Sequence, residues 1–153
     1  MVMPAGWKLV VTGVGTLSTE MQSLQQRHPD LIEFHGAVAH ARVLELMGSC
    51  DAIVNPHAPI AEMGNGVFPF KVCEALASGA LLITTALPSI DLDLADRVEP
   101  FDGQVAGLVH AMERAPARYR QQREALGQLR QRVCQIYGEQ SVRERFRTSL
   151  EAL

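Results

Sequence analysis

No stretch of this sequence reaches the roughly 20 consecutive apolar residues that a bilayer-spanning helix needs. The opening MVMPAGWKLVV is apolar but has neither the long hydrophobic stretch nor the small-residue cleavage site of a secretory signal. Cysteine is scarce as well. Cys50, Cys73 and Cys134 are odd in number, far apart and without CxxC spacing, which argues against a disulfide framework and a zinc site and fits a reducing cytoplasm. A basic face is also missing. The net charge is −3, with Lys and Arg scattered among Asp and Glu, so nothing would hold a nucleic acid backbone by counterion release. There is no internal repeat and no low-complexity segment; the polar stretch 121–132 has the pattern of a solvated helix face.

What is present describes one globular domain. A chain of 153 residues that is 47% hydrophobic and 20% charged supports a single core. Apolar runs rich in Val, Ile and Leu occupy 8–12, 31–34, 52–55 and 81–85, each continuous rather than alternating, as strands covered on both faces should be. Between them lie helical spacings: Leu17, Met21 and Leu24; Val43, Leu44 and Met47; Val72, Ala75 and Leu76, the last stopped by Gly79. The alternation predicts a single doubly wound, Rossmann-like α/β domain with a parallel sheet. A further short strand is expected at 97–99, limited by Pro100. One amphipathic helix then carries Val105, Leu108, Val109 and Met112. A second is predicted to start near Pro116 and to present Tyr119, Leu126, Leu129, Val133 and Ile136 on one face until Gly138. Ser141 and Glu144 read as a capping box opening a last helix with Val142, Phe146, Leu150 and Leu153.

Open parallel sheets bind ligands beyond the carboxyl ends of their strands, so the loops there carry the functional reading. Gly13-Val-Gly15 follows the first strand; small residues there let backbone amides approach an anion at a helix N-terminus, or simply make a tight turn. His35-Gly-Ala-Val38 follows the second and offers an apolar rest for a base. Asn55-Pro-His57 follows the third, where a lone histidine reads as an ordinary loop residue rather than a catalytic base. The most specific segment is 62–79. Gly64 and Gly66 permit a backbone-lined turn, Pro69 sets a first helical turn, and amides there favour a pyrophosphate. Lys71 and Glu74, three apart, share a helix face on which the lysine could meet phosphate and the carboxylate a pair of sugar hydroxyls. The plain alternative is an exposed ion pair contributing less than about 1 kcal/mol.

The run Pro69-x-Lys71-Val-x-Glu74-Ala-Leu-Ala-x-Gly79-Ala-x-x-Ile83-Thr-Thr85 resembles the donor domain of the retaining GT-B glycosyltransferases of the group-one clan. Residues 7–15, 32–36 and 50–56 resemble the family's first donor-domain strand with its glycine loop, the strand before the base pocket, and the strand ending in proline. Residues 137–153 resemble its last helix. The resemblance implies a nucleotide-sugar-binding domain over 1–153, with 116–153 as C-terminal helices, forming one half of a GT-B fold. It implies that Glu74 binds ribose hydroxyls and that Gly66, Val67 and Phe68 lie against the sugar and phosphates. Ala37 and Val38 would border the base, Gly13 and Gly15 would face the pyrophosphate, and Lys71 completes the proline-x-lysine motif of a subgroup.

The implied activity is hexosyl transfer from a nucleoside diphosphate sugar to a glycan, polysaccharide or lipid-linked acceptor, without a metal or other cofactor. An N-terminal acceptor domain or partner subunit is expected upstream, with peripheral membrane association of the full enzyme, and this chain alone is expected to be inactive. Two departures stand out: the position eight before Glu74, a sugar-contacting glutamate in many members, is Gly66, and of the basic pair near the first strand only Lys8 is present. No catalytic residue is assigned. Asp91-Leu-Asp93 is formally a DxD metal sequence, but near a helix start it reads as capping. Competing readings are a stand-alone nucleotide-sugar-binding module or split-enzyme subunit, and a receiver-type signalling domain. The receiver reading is disfavoured because the strands end in Thr12-Gly13 and Asn55-Pro56 rather than in acidic residues.

Overall fold

Leu81, Leu82 and Ile83 are entirely buried, and Thr84 nearly so, in the middle strand of a three-stranded parallel sheet. A strand with neighbours on both edges and cover on both faces has no solvent side, so its sequence cannot alternate. The computed structural model describes residues 3–56, 70–85 and 98–151. Its strands are β1 (Leu9–Val11), β2 (Ile32–Phe34), β3 (Ala52–Asn55), β4 (Leu81–Thr84) and β5 (Val98–Pro100). Its helices are α1 (Ser18–Arg27), α2 (His40–Ser49), α3 (Phe70–Ser78), α4 (Val105–Tyr137) and α5 (Glu139–Glu151). Strand and helix alternate from β1 to β4 and every strand pair is parallel, as the pattern predicts for a Rossmann-like α/β fold. The chain divides into two compact units, residues 1–46 and 47–153.

In the first unit β1 pairs with β2 in the register Leu9↔Ile32, Val10↔Glu33, Val11↔Phe34. Ile32 is buried, whereas β1 is only half-covered. Lys8 bonds Glu33 at 2.5 Å, which accounts for a carboxylate inside an apolar strand. Helix α1 buries no residue fully; Met21 and Leu24 are half-covered, and Leu17, expected on the same face, sits at the N-cap and is exposed. On α2 Val43 and Met47 are covered as expected, joined by Leu46, while Leu44 is exposed.

The second unit holds the main core. Val72, Cys73, Ala75 and Leu76 of α3 pack with Leu82 of β4 and with Leu129 and Val133 of α4. Burial of such side chains stabilises by about 1.5–3 kcal/mol each. Helix α3 ends as predicted: Gly79 has φ +85°, a left-handed conformation that side-chain-bearing residues rarely adopt, and its amide returns to Leu76 O at 3.4 Å. The short strand before Pro100 is also present, pairing with β4 from Leu82↔Val98 to Thr84↔Pro100.

Two helix boundaries differ from expectation. Pro116 does not begin a helix but lies inside the 33-residue α4. Its missing N–H leaves the Met112 carbonyl without the usual partner, which ordinarily breaks a helix. Here Arg114 and Arg118, on either side of the proline, both reach the buried Glu99 of β5, while Met112 and Ala115 are buried. Tertiary anchoring therefore holds the two turns in line. The Ser141–Glu144 capping box is not formed either: α5 already starts at Glu139, with Val142 N bonded to Gly138 O at 3.0 Å. Gly138 does separate α4 from α5, through an extended conformation. Val105 and Val142 are exposed, while Leu126, Leu129 and Val133 form the buried stripe of α4 as expected. The side chains of Phe146, Leu150 and Leu153 lie outside the described set.

Candidate functional site

In the first unit the two predicted loops meet at the carboxyl ends of β1 and β2. Gly13, at φ +121°, donates its amide to Gly36 O at 2.7 Å, and Gly36 itself has φ +63°. The ladder continues into this junction through His35 N, which donates to Val11 O at 3.0 Å. Gly15 donates to Ser18 Oγ at 2.9 Å, and the Ser18 hydroxyl donates back to Gly15 O at 2.9 Å, fixing the entry to α1. The amides of Gly13 and Gly15 are thus engaged within the protein. Those of Val14, Thr16 and Leu17 make no hydrogen bond among the described residues and are the donors this loop has left for an anion. Ala37 is exposed and Val38 half-buried, one and two residues beyond the Gly13–Gly36 junction.

The same edge carries a cavity of about 300 Å³ lined by Gln22, Gln25, Gln26, Phe34, His35 and Gly36. Gln25 Oε1 accepts from Phe34 N, so this helix side chain closes the free edge of β2. Lys8 first, by a hydrogen bond and then by its charge, holds the Glu33 carboxyl below the usual carboxylate range against the opposing effect of burial; His35 adds to the lowering. His35 Nε2 lies 2.7 Å from Glu33 Oε1 but off the line a hydrogen bond needs. Lys8, the cation expected near a departing diphosphate, is therefore already neutralised in part by Glu33.

In the second unit Lys71 and Glu74 stand on the first two turns of α3. A helix that connects parallel strands runs back from their carboxyl ends, so these turns belong to the ligand end of the sheet. Lys71 is exposed, Glu74 is half-buried, and no ion pair joins them among the described residues. Burial, with the Glu74 charge second, pushes the neighbouring Cys73 thiol up, so Cys73 stays neutral in the core. Gly66, Val67 and Phe68 lie outside the described residues, as do His57, Asp91 and Asp93.

Sequence reasoning did not single out two polar constellations of this unit. At the ends of β3 and β4, Asn55 Nδ2 donates to Thr84 Oγ1 at 3.0 Å. Farther from that edge Glu99, 1% exposed, accepts from Arg114 Nε at 2.8 Å and from Arg118 Nη1 at 3.1 Å. Spacing within one segment reveals neither, because each joins residues 15 to 29 positions apart. No three His, Cys, Asp or Glu side chains converge to hold a metal ion among the described residues, and none of their helices is long and apolar enough to cross a membrane.

Comparison with known proteins agrees with this architecture. The family described as Glycosyl transferases group 1 matches residues 2–117. The chain belongs to that family. The crystal structure of Anabaena HepE in complex with UDP superimposes with a TM-score of 0.73 at 16% identity, over 99% of this chain and 42% of HepE. AviGT4, a glycosyltransferase involved in avilamycin A biosynthesis, gives a TM-score of 0.54 at 18% identity, over 91% of this chain and 40% of AviGT4. The chain thus spans about two fifths of the length of the solved proteins it resembles, and its fold is that of a Rossmann-like half of a GT-B enzyme. No curated protein matches it in sequence.

Proposed function

We propose that this chain is the donor-binding half of its glycosyltransferase, holding a nucleoside diphosphate sugar for hexosyl transfer to a glycan, polysaccharide or lipid-linked acceptor. The observation that carries the reading is Glu74: a half-buried carboxylate in the second turn of α3, at the ligand end of a parallel sheet. A carboxylate accepts from two vicinal hydroxyls at once, as a ribose requires. Lys71, exposed one turn earlier, supplies a point charge for phosphate. The UDP bound to HepE, whose fold matches over nearly all of this chain, supports a nucleoside diphosphate as the ligand class. An acceptor domain or partner subunit completes the enzyme, and the chain by itself does not turn over.

Calorimetric titration of the purified chain with UDP, GDP, ADP and their sugar conjugates tests this, comparing wild type with Glu74→Ala. One nucleotide is expected to bind, with the variant weaker by about 1.5–3 kcal/mol, the contribution of a hydrogen-bonded charged group. The affinity is expected to be the same with and without magnesium, in line with metal-free donor binding. Equal affinity in wild type and variant would sink the assignment of Glu74.

A further inference from the structure

Asn55 and Thr84 are the last residues of two adjacent parallel strands, opposite one another in register. Thr84 is 2% exposed and its hydroxyl lies 2.9 Å from Thr85 O and 3.4 Å from Asn55 O. A hydroxyl has one proton, and the shorter contact takes it. With that proton on Thr85 O, the lone pairs of Thr84 Oγ1 accept from Asn55 Nδ2 at 3.0 Å. The amide group is planar. Fixing Nδ2 on Thr84 therefore also fixes Oδ1, which makes no hydrogen bond among the described residues.

The clasp sits where the backbone ladder ends. Thr85 N reaches Asn55 O at 3.4 Å, a long bond, and the next residue, Pro56, has no amide to extend the pairing. Phe101 N, bonded to Thr84 O at 3.0 Å, ties the same point to the end of β5. A half-buried amide held this way at the carboxyl edge, on the side of the sheet where Lys71 and Glu74 begin α3, has the chemistry of a ligand contact rather than of strand pairing alone.

We propose that Asn55 is a donor-recognition residue, offering Oδ1 as a fixed acceptor to a hydroxyl of the nucleotide sugar, and that Thr84 is the positioning residue that orients it. The inference rests on the donor-binding reading above. Its test is titration of the chain with UDP and with UDP-glucose, well below the unfolding midpoint of every variant. Asn55→Ala and Thr84→Val are each expected to weaken at least one of the two ligands about five- to tenfold. Thr84→Ser, which keeps the hydroxyl, stays within about twofold, and the double variant is no weaker than Asn55→Ala, because Thr84 acts only through Asn55. Loss confined to UDP-glucose assigns the contact to the sugar, and loss with both assigns it to the ribose. Wild-type affinity in Asn55→Ala and Thr84→Val, alongside a loss in Glu74→Ala, would overturn this proposal and leave the donor site standing. A Thr84→Ser variant as weak as Thr84→Val would overturn it too, since the methyl group and not the hydroxyl would then matter. If wild type binds neither UDP, UDP-glucose nor any other nucleotide, the donor reading fails and the role of Asn55 falls with it.

Discussion

Replacing Glu99 by alanine separates a helix-spanning anchor from an ornamental ion pair. The carboxylate is 1% exposed and accepts from Arg114 Nε at 2.8 Å, Arg114 Nη2 at 2.5 Å and Arg118 Nη1 at 3.1 Å. Removing one partner of a fully buried pair costs about 3–5 kcal/mol because the remaining charge is stranded. Here the two cations recover water unequally: the Arg114 side chain is 58% exposed, whereas that of Arg118 is 27%. Arg114 therefore contributes as a surface pair does, well under the buried figure, and most of the loss falls on Arg118. A destabilisation of about 2–3 kcal/mol is expected for Glu99→Ala. With a urea slope of about 1–3 kcal/mol per molar, the unfolding midpoint should fall by about 0.7–3 M. Far-UV circular dichroism follows the transition, and a cycle with Arg118→Ala should return a coupling of about 1 kcal/mol or more. Because both arginines bracket Pro116, hydrogen exchange of the α4 amides around residues 112–120 should quicken in the variant. A change within about 0.5 kcal/mol, the range of indifferent surface substitutions, would refute the argument that this network holds α4 together across its proline.

Gly138 is required by space rather than by φ: its conformation is extended, but a Cβ there would press on the Cys134 carbonyl closer than real Cβ contacts allow. Gly138→Ala should force the α4–α5 junction to shift and destabilise the protein by about 1–3 kcal/mol, read from the same urea curves. Cys73 should resist a thiol reagent in the folded protein at neutral pH while Cys134, exposed on α4, reacts at once. The sign for pH follows from the raised Cys73 thiol: its neutral form is stable in the core, so the contribution is complete below the ordinary thiol range and is lost as pH rises through the folded value. An alkaline decline in stability that Cys73→Ala does not reduce would contradict this.

Much of the architecture was legible because it rests on local rules. The run Leu81–Thr84 has no polar alternation to place it on a surface, Gly79 is the residue that a left-handed helix end demands, and Val72, Ala75 and Leu76 recur at helical spacing. On α1 and α2 the expected Met21, Leu24, Val43 and Met47 are covered while Leu17 and Leu44 are exposed; neither helix buries a residue deeply, and a half-covered helix constrains its pattern weakly. Of the candidate site, the junction of the Gly13 and His35–Val38 loops could be anticipated from strand order. That Gly13 and Gly15 use their amides internally could not, since the partners Gly36 and Ser18 Oγ are set by loop geometry.

The sequence by itself determined the parallel α/β class, the helix end at Gly79, and the proline–lysine–glutamate segment that marks the family, because periodicity, left-handed glycine and short-range spacing act within a few residues. Tertiary structure decided the continuity of α4 through Pro116 and the Asn55–Thr84 clasp. Both depend on polar groups far apart in the chain: the buried Glu99 gathers Arg114 and Arg118 from either side of the proline, and the register of β3 against β4 sets Asn55 opposite Thr84.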